Sequence, residues 1–295
     1  MVPKWICRST DATCGSEHMT EHVVTVIVPV RNGARTIGAL LDALALQQGV
    51  RFETIVVINA TVDGTEKIVR EHPLECLVVM TDKPGAYGAR NAGAKLAIAH
   101  TLAFTDADCV PEPRWLAKGL SALADADLVG GAVHQVTSTS PNLWELYDAT
   151  FYLRQQENIA NGFAATANAF VGRDTFEALG GFDESFTSGG DHDFGMRLRE
   201  SGGQLVYAPD AVVRHQPRST AGAVLSTSRR IGAGWRDLSQ VGLRPGLLSD
   251  EGLRPRFAAA RRQVTDASPL ARRSRLYPAH GLVTLARLIG RVTGR

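Results

Sequence analysis

The chain has 295 residues, of which 44% are hydrophobic and 21% are charged, and these proportions are ordinary for a soluble globular protein. This length allows one large domain or two smaller ones, each able to bury a core. No uninterrupted apolar run approaches the ~20 residues that cross a bilayer as a helix, which argues against a helical membrane-spanning protein.

Four cysteines and the start of the chain indicate the compartment. The cysteines are scattered without a CxxC pair or a zinc-site spacing, at Cys7, Cys14, Cys76 and Cys109. Residues 1–21 lack a long apolar core and a hydrophobic period, so we expect a flexible N-terminal tail and no signal peptide. Together these features favour a reducing compartment, and we expect a cytoplasmic protein.

The net charge of +2 hides an uneven distribution. Residues 214–295 contain sixteen arginines, no lysine and four acids, a net charge of +12 that leaves −10 for residues 1–213. Two segments with opposite net charge suggest that one of them binds an anionic partner.

Strands and helices alternate through the first part of the chain. Four buried strands are predicted from β-branched or apolar runs, at 23–28, 54–58, 77–80 and 102–104. Three helices are predicted between them, at 37–44, from 65 onward and at 89–100. This alternation is typical of a doubly wound, mostly parallel α/β sheet. No GxGxxG follows the first strand and no GxxxxGK[ST] occurs, which argues against a dinucleotide dehydrogenase and a P-loop NTPase.

Polar residues follow three of these strands. Short right-handed crossovers bring the carboxyl ends of parallel strands to one edge, so we expect 30–32, Asn59, Asp106 and Asp108 to line one crevice. In an extended backbone, Asp106 and Asp108 would point to the same side and repel each other. A divalent cation such as Mg²⁺ or Mn²⁺ offsets this repulsion and leaves room for substrate phosphates. A solvated turn is the alternative interpretation.

After Pro113 we expect a helix at 115–123, a strand at 128–136 and an aromatic stretch at 143–156. A loop at 180–186 and a further helix at about 191–200 follow. Gly130 and Gly131 within the strand indicate a close approach of two backbones. The aromatic stretch is interpreted as core rather than as the wall of a cleft. Asp191, at the start of the last helix, is either its N-cap or a functional carboxylate.

An ordered set of short motifs runs through residues 23–218. The motifs are Val-Ile-Val-Pro-Val-Arg-Asn at 26–32, Asp63-Gly64-Thr65, Ala89-Arg90-Asn91, Asp106-Ala107-Asp108, Gly-Gly-Phe-Asp-Glu at 180–184, Asp191, and Pro209 followed by His215. In this order they resemble an inverting family 2 glycosyltransferase with the GT-A fold. The resemblance implies a GT-A domain at 22–222, followed by a basic, mainly helical extension at 223–295.

The resemblance also implies roles for individual residues. The general base is expected at Asp191, and the divalent cation on the donor diphosphate is expected at Asp108 and His215. The nucleotide-diphospho-sugar donor is expected to contact Pro29, Arg31, Asn32, Asn59, Arg90 and Asp106. The acceptor is expected to contact Gly181, Phe182, Asp183 and Glu184.

Two positions depart from the family's pattern. Gly190 replaces the usual Glu that precedes the base, so this motif is only half kept. Ile58 stands where relatives usually carry an acid that pairs with the nucleotide base, and Asn59 follows it. Recognition of uracil through a carboxylate is therefore not expected, although an amide side chain at Asn59 offers both a donor and an acceptor.

These residues predict a metal-assisted single displacement with inversion, which moves a sugar to a hydroxyl of a glycan, a lipid-linked acceptor or a small molecule. Two alternatives stay open. A nucleotidylyltransferase also has metal-binding acids on a doubly wound sheet, but it needs a glycine-rich basic loop that Arg31-Asn32-Gly33 matches poorly. A catalytically inert scaffold that binds sugar nucleotides agrees with Ile58 and Gly190, whereas Asp108 and Asp191 argue against it.

The arginine-rich end, residues 223–295, lacks the alternation of strand and helix. Residues 280–295 place apolar side chains among Arg287, Arg291 and Arg295, a pattern that predicts an amphipathic basic helix. Peripheral attachment to anionic lipid on the inner face of the membrane would bring the active site near a lipid-linked or cell-envelope acceptor. The alternatives are a helix packed on the domain with a solvated basic face, and a nucleic-acid site, which the scarcity of aromatic residues disfavours.

Overall fold

The computed structural model describes residues 23–82, 85–240 and 270–294, with side chains of the last segment described from Ala279 onward. The expected N-terminal tail lies outside the described residues. Eight strands are present in this part of the chain: β1 (Val24–Val30), β2 (Phe52–Asn59), β3 (Leu77–Thr81), β4 (Thr101–Thr105), β5 (Cys109–Pro111), β6 (Leu128–Gln135), β7 (Asn168–Gly172) and β8 (Leu205–His215). Ten helices accompany them: α1 (Ile37–Ala45), α2 (Thr65–Glu71), α3 (Ala86–Ala94), α4 (Trp115–Leu123), α5 (Leu143–Phe151), α6 (Gln155–Ala160), α7 (Arg173–Ala178), α8 (Gly190–Glu200), α9 (Ala221–Gln240) and α10 (Leu270–Thr293).

The strands form one mixed sheet with the order β3-β2-β1-β4-β7-β6-β8-β5. Strands β1 to β4 are parallel neighbours, whereas β7 runs antiparallel to β4 and β6, and β5 runs antiparallel to β8. This arrangement confirms the predicted α/β class with a mostly parallel, mixed sheet. Residue Val30 pairs with Ile58, so β1 and β2 end at the same edge.

Helices cover both faces of the parallel part of the sheet, which explains why its strands are apolar throughout. Helix α1 buries Ile37, Leu40, Leu41 and Leu44, the residues that recur at helical spacing. Helix α3 approaches the sheet closely at Gly93, where a Cβ would lie 2.7 Å from the side chain of Ile27. The core therefore lies on both sides of β1 and β2.

Two predicted helices have different bounds in the structure. The helix expected at 89–100 is α3, which begins earlier because Gly85, with φ of 111°, lets the chain turn directly into it. It ends at Ala94, since residues 97–100 are needed to connect it to β4. The aromatic stretch at 143–156 divides into α5 and α6, because Tyr152 is extended and Leu153 has φ of 52°.

The close backbone approach predicted at Gly130 and Gly131 is confirmed at Gly131, whereas Gly130 faces the side chains of Ile159 and Gln155. A Cβ at Gly131 would overlap the carbonyl of Ala211 and the amide of Asn168. The Asn168 side chain donates to the carbonyls of Ala132 and Ala211, both at 2.8 Å. It also accepts from the Trp115 indole at 2.8 Å, so one buried amide joins β6, β7, β8 and α4.

Helix α10 packs against α9 with small side chains. A Cβ at Gly232 would collide with the carbonyl of Arg287, and a Cβ at Gly290 would collide with that of Arg229. The buried residues of the described part of α10 are Ala279, Val283, Ala286 and Gly290. The alternative of a packed helix with a solvated basic face is therefore wrong in one respect. Large apolar side chains are exposed along this helix, at Leu282, Leu285, Leu288, Ile289 and Val292.

Among the described residues, no helix is both long enough and apolar enough to cross a membrane.

Candidate active site

A cleft of about 1020 Å³ opens where the parallel strands end. This volume suits a large ligand, since cavities for small molecules usually measure about 300–1,000 Å³. Five of the residues expected to bind a donor line it together: Pro29, Arg31, Asn59, Arg90 and Asp106. The structure thus brings the ends of β1, β2 and β4 into one site, as parallel strands require.

Asp106 and Asp108 lie in a tight turn rather than in extended backbone. The carbonyl of Asp106 accepts a hydrogen bond from the Cys109 amide at 3.0 Å, which closes the turn. The two carboxylates take different partners: Asp106 pairs with the buried guanidinium of Arg90, and Asp108 faces His215. Asp106 and Asp108 are therefore not placed on one side by extended backbone, as the sequence predicts, because a turn sets the positions of both carboxylates.

Strand pairing explains the contact between Asp108 and His215. Cys109 of β5 lies directly opposite His215 of β8, so the preceding residue comes next to the imidazole. Oδ2 of Asp108 lies 3.5 Å from Nε2 of His215, and Nδ1 of His215 lies 3.0 Å from the Gln135 amide oxygen. Burial raises the pKa of Asp108, but His215 and Arg218 outweigh it and hold that pKa below its ordinary value.

This pair fits a divalent cation. A bound cation would replace the direct contact of His215 with Asp108. With the Gln135 oxygen accepting from Nδ1–H, the lone pair on Nε2 of His215 and the Asp108 carboxylate would both be available as ligands. Within the described ranges, no group of three or more His, Cys, Asp or Glu side chains could hold a metal. Mg²⁺ and Mn²⁺ sites commonly use one or two protein ligands and take the rest from substrate phosphates and water. The two side chains suit a site of that kind.

Asp191 lies in the first turn of α8, half-buried in the cleft. Its Oδ1 accepts from the Tyr87 hydroxyl at 3.1 Å and from the His192 amide at 3.0 Å. Burial raises the pKa of this carboxyl, and the charge of Arg90 opposes part of that rise. A carboxylate with a raised pKa is a stronger base, as general-base chemistry requires.

The N-cap interpretation of Asp191 is wrong. The residue before α8 is Gly189, whose φ of 92° few other residues tolerate, and no side chain caps this helix. The glycine that follows has a steric cause, since a Cβ at Gly190 would lie 2.9 Å from the Tyr87 ring. Tyr87 thus occupies the space that the family's usual Glu would need.

The neighbouring acid, Asp193, has a structural partner. It binds Arg197 one turn later, with nitrogen–oxygen distances of 2.7 and 2.9 Å. Arg197 also donates to the carbonyls of Leu179 and Gly181. This ion pair therefore ties α8 to the Gly-Gly-Phe-Asp-Glu loop.

That loop is held mainly by structural contacts. Phe182 packs among the aromatic rings of Tyr87, Phe104, Phe176 and Phe194. The Asn91 side chain clamps the backbone of Phe182, and Asp183 accepts from the Ser185 amide. Of the four residues expected at the acceptor, only Glu184 lines the cleft, so roles for Gly181, Phe182 and Asp183 stay predictions.

Asn32 does not line the cleft either. Its backbone amide donates to Thr61, and its side chain accepts from the Val62 amide, so it braces the loops after β1 and β2. Asp63 joins the same brace through the amides of Ala34 and Thr65. Donor contact by Asn32 therefore stays a prediction.

Sequence reasoning missed several residues that line the cleft. Tyr87 lies two residues before the helix predicted at 89–100, although its spacing of three residues from Arg90 is a helical signal. The aromatic stretch contributes Tyr147, Phe151 and Tyr152 to the cleft as well as to the core. The extension contributes basic side chains, at Arg230, Arg287 and Arg291.

Replacing Tyr87 with Phe should change the pH dependence of catalysis. Tyr87 stabilises the Asp191 carboxylate, so its loss raises the pKa of Asp191 further. A base acts when ionised, so with Asp191 as the base the rate should rise with pH through the pKa of Asp191. This rising part of the pH–rate profile should move to higher pH in Tyr87→Phe. At pH values well above it, the rate should change only several-fold. The measurement is a pH–rate profile. If its rising part lies at the same pH in Tyr87→Phe as in the unaltered protein, Tyr87 does not act on the base.

Comparison with known proteins agrees with this geometry. The model of the family described as glycosyltransferase like family 2 matches residues 21–234. The chain is 34% identical over 221 residues to glycosyltransferase AglE of Haloferax volcanii, covering 72% of each protein. It is 29% identical over 208 residues to the pre-mycofactocin glycosyltransferase of Mycobacterium tuberculosis, covering 66% of this chain and 43% of that longer protein.

Solved structures share the fold. The mannosyltransferase PcManGT from Pyrobaculum calidifontis, in complex with GDP-Man and Mn²⁺, superposes with a TM-score of 0.64 at 23% identity, covering 94% of this chain and 89% of that one. S. aureus TarS 1-349 in complex with UDP-GlcNAc superposes with a TM-score of 0.55 at 18% identity, covering 90% and 81%. The matching family model and the Haloferax relative show that the chain belongs to glycosyltransferase family 2, and its structure has the GT-A fold.

Proposed function

We propose that this glycosyltransferase moves a sugar from a nucleotide-diphospho-sugar to an acceptor hydroxyl by a single, inverting displacement. The observation that carries the proposal is the position of Asp191. It is a half-buried carboxylate with a raised pKa, and it lines the same cleft as Arg90 and Asp106. In this role Asp191 takes the proton of the acceptor hydroxyl as that oxygen attacks the anomeric carbon.

Asp108 and His215 would hold the divalent cation, which supplies Lewis-acid stabilisation of the departing diphosphate. Arg90 contributes a fixed positive charge to the cleft, and its pairing with Asp106 holds its guanidinium in place. The structural neighbour bound to GDP-Man and Mn²⁺ supports the use of a cation with such a donor.

The experiment is a donor panel. UDP-, dTDP-, GDP-, CDP- and ADP-sugars are incubated with the protein and Mn²⁺, and the released nucleotide product is identified by chromatography. A transferase releases nucleoside diphosphate. Pyrophosphate release would favour the nucleotidylyltransferase alternative, and donor binding without turnover over a wide acceptor panel would favour the inert scaffold.

Asn59 should select the nucleotide base. It is only 5% exposed and lines the cleft, and its Nδ2 already donates to the Gly85 carbonyl at 3.2 Å. Its Oδ1 is buried without a hydrogen-bond partner, so it is free to accept from a ring N–H of the donor base. Uracil, thymine and guanine carry such an N–H, whereas adenine and cytosine offer a ring acceptor there.

We therefore expect UDP, dTDP or GDP to raise the melting temperature, and ADP and CDP to leave it unchanged. In Asn59→Asp the preference for an N–H donor should persist, and in Asn59→Leu it should disappear. Equal stabilisation by all five nucleotides in the unaltered protein would remove Asn59 from base selection.

We further propose that α10 attaches the protein to the surface of an anionic membrane. Its outward face carries Leu285, 53% exposed, and Ile289, 40% exposed, within a continuous apolar stripe. Exposed apolar residues at this spacing suit a helix that lies in the membrane interface. The expected contribution of Arg295 lies outside the described residues.

Liposome co-sedimentation tests the attachment. The unaltered protein should pellet with vesicles that contain acidic lipid, and added salt should reduce binding. The double variant Leu285→Glu/Ile289→Glu should stay in the supernatant, whereas Leu46→Glu, at a leucine after α1 that is 65% exposed, should still pellet. A full-length protein that remains soluble at low salt would reject the attachment.

A further inference from the structure

Three arginines from the last two helices line the cleft: Arg230 on α9, and Arg287 and Arg291 on α10. The two helices cross without room for a Cβ at Gly232 or Gly290, so they form a fixed platform. The guanidinium of Arg287 lies 5.4 Å from the centroid of the Trp235 ring, which orients it.

Much of the other charge in the cleft is internally balanced, but Arg230 and Arg291 differ. Arg90 pairs with Asp106, and Arg154 pairs with Glu157. Neither Arg230 nor Arg291 forms an ion pair or hydrogen bond with any residue in the described part of the chain. These two arginines therefore present positive charge to the cleft that no described acid neutralises.

The contacts around Asp191 place this charge near the proposed base. Asp191 accepts from Tyr87 of α3, the helix that also carries Arg90 at the donor residues. The start of α8 also abuts α9, where Gly189 meets Leu238 and Ser188 meets Gly234. The helix that carries Asp191 thus contacts both the element that carries Arg90 and the element that carries Arg230.

We propose that Arg230, Arg287 and Arg291 bind an anionic group of the acceptor, so the acceptor is a hydroxyl compound that carries a phosphate or a similar oxyanion. This inference rests on the transferase function proposed above. Guanidinium groups offer several N–H donors in a plane that match phosphate oxygens. Leu288 and Trp235 line the cleft beside them and accommodate an apolar segment next to the anion.

A lipid-linked phosphate and a soluble phosphate share this chemistry, and two probes distinguish them. Calorimetric titration with inorganic phosphate and with octyl phosphate, below its micelle concentration and in EDTA, measures binding without a metal or a donor. Octyl glucoside is the neutral control. The protein variants are Arg230→Gln and Arg291→Gln, with Arg229→Gln as the matched control, because Arg229 is adjacent, exposed and outside the cleft lining.

We expect octyl phosphate to bind, with affinity at least tenfold weaker in Arg230→Gln and Arg291→Gln and unchanged in Arg229→Gln. Tighter binding of octyl phosphate than of inorganic phosphate identifies an amphiphilic acceptor, and equal binding identifies a soluble one. Equal affinity in Arg229→Gln and Arg230→Gln, or binding of octyl glucoside as tight as that of octyl phosphate, would overturn the proposal.

Thermal stabilisation by the donor is the second measurement. It should be unchanged in Arg230→Gln, since the donor residues lie on α3 and at or just after the ends of β1, β2 and β4. Its loss would assign the arginine to the donor and overturn the acceptor subsite. These readouts need no turnover, so a failure of the arginine subsite leaves the transferase proposal intact, and the converse also holds.

Discussion

Asp191→Asn should reduce sugar transfer by about 10²–10⁴-fold, the usual contribution of a general base. Asparagine keeps the shape of the side chain, and its oxygen still accepts from Tyr87 and the His192 amide, but it cannot take a proton. Donor affinity should be retained, because the donor contacts come from other elements. The measurement is steady-state transfer together with the donor dissociation constant.

The same variant should not lose stability. The pKa of Asp191 is raised by burial in the folded chain, so its ionisation costs folding free energy at neutral pH. Removing that charge should leave the urea midpoint unchanged or higher. Asp193→Asn is the matched control with the opposite pattern, since it breaks the Arg197 ion pair and should lower the midpoint without removing the base. A fall in transfer of less than tenfold in Asp191→Asn would remove Asp191 from the role of base.

Asp108→Asn should abolish metal-dependent donor binding while the fold remains intact. Loss of a partner that only orients a metal ligand costs about 10–100-fold in metal affinity, so loss of a direct ligand should cost at least about 100-fold. Calorimetric titration of Mn²⁺ with the active nucleotide measures this effect, and circular dichroism checks the fold.

A graded series sharpens this test. Gln135 orients His215 without facing Asp108, so Gln135→Leu should weaken metal-dependent binding by less than Asp108→Asn does. Transfer that continues undiminished in Asp108→Asn, or in excess EDTA, would contradict the role of the cation.

The sequence predicts the donor side of the site well, for a physical reason. Parallel strands joined by short crossovers must end at one edge of the sheet. Asn59 and Asp106 therefore meet at that edge whatever the exact bounds of the strands are. The contact of Asp108 with His215 is different. It depends on the pairing of β5 with β8, residues more than one hundred positions apart, and the histidine was proposed only through family resemblance.

The C-terminal helix illustrates a second limit. Its pattern is amphipathic, but the pattern does not state which face meets the protein. One interpretation of the pattern places the arginines in solvent, whereas Arg287 and Arg291 line the cleft and large apolar residues such as Leu285 are exposed. The close crossing at Gly232 and Gly290 decides this, because only the small face of α10 fits against α9. Propensity and periodicity do not contain that steric information.

The most direct test of the central claim is the anomeric configuration of the first product. The active donor from the panel is turned over in an NMR tube, and the proton coupling at the anomeric carbon is followed from the start of the reaction. A single displacement with Asp191 as base predicts inversion, so an α-linked donor gives a β-linked product. A product that retains the donor's configuration would contradict the account, because an acceptor that attacks the anomeric carbon opposite the departing diphosphate must invert it.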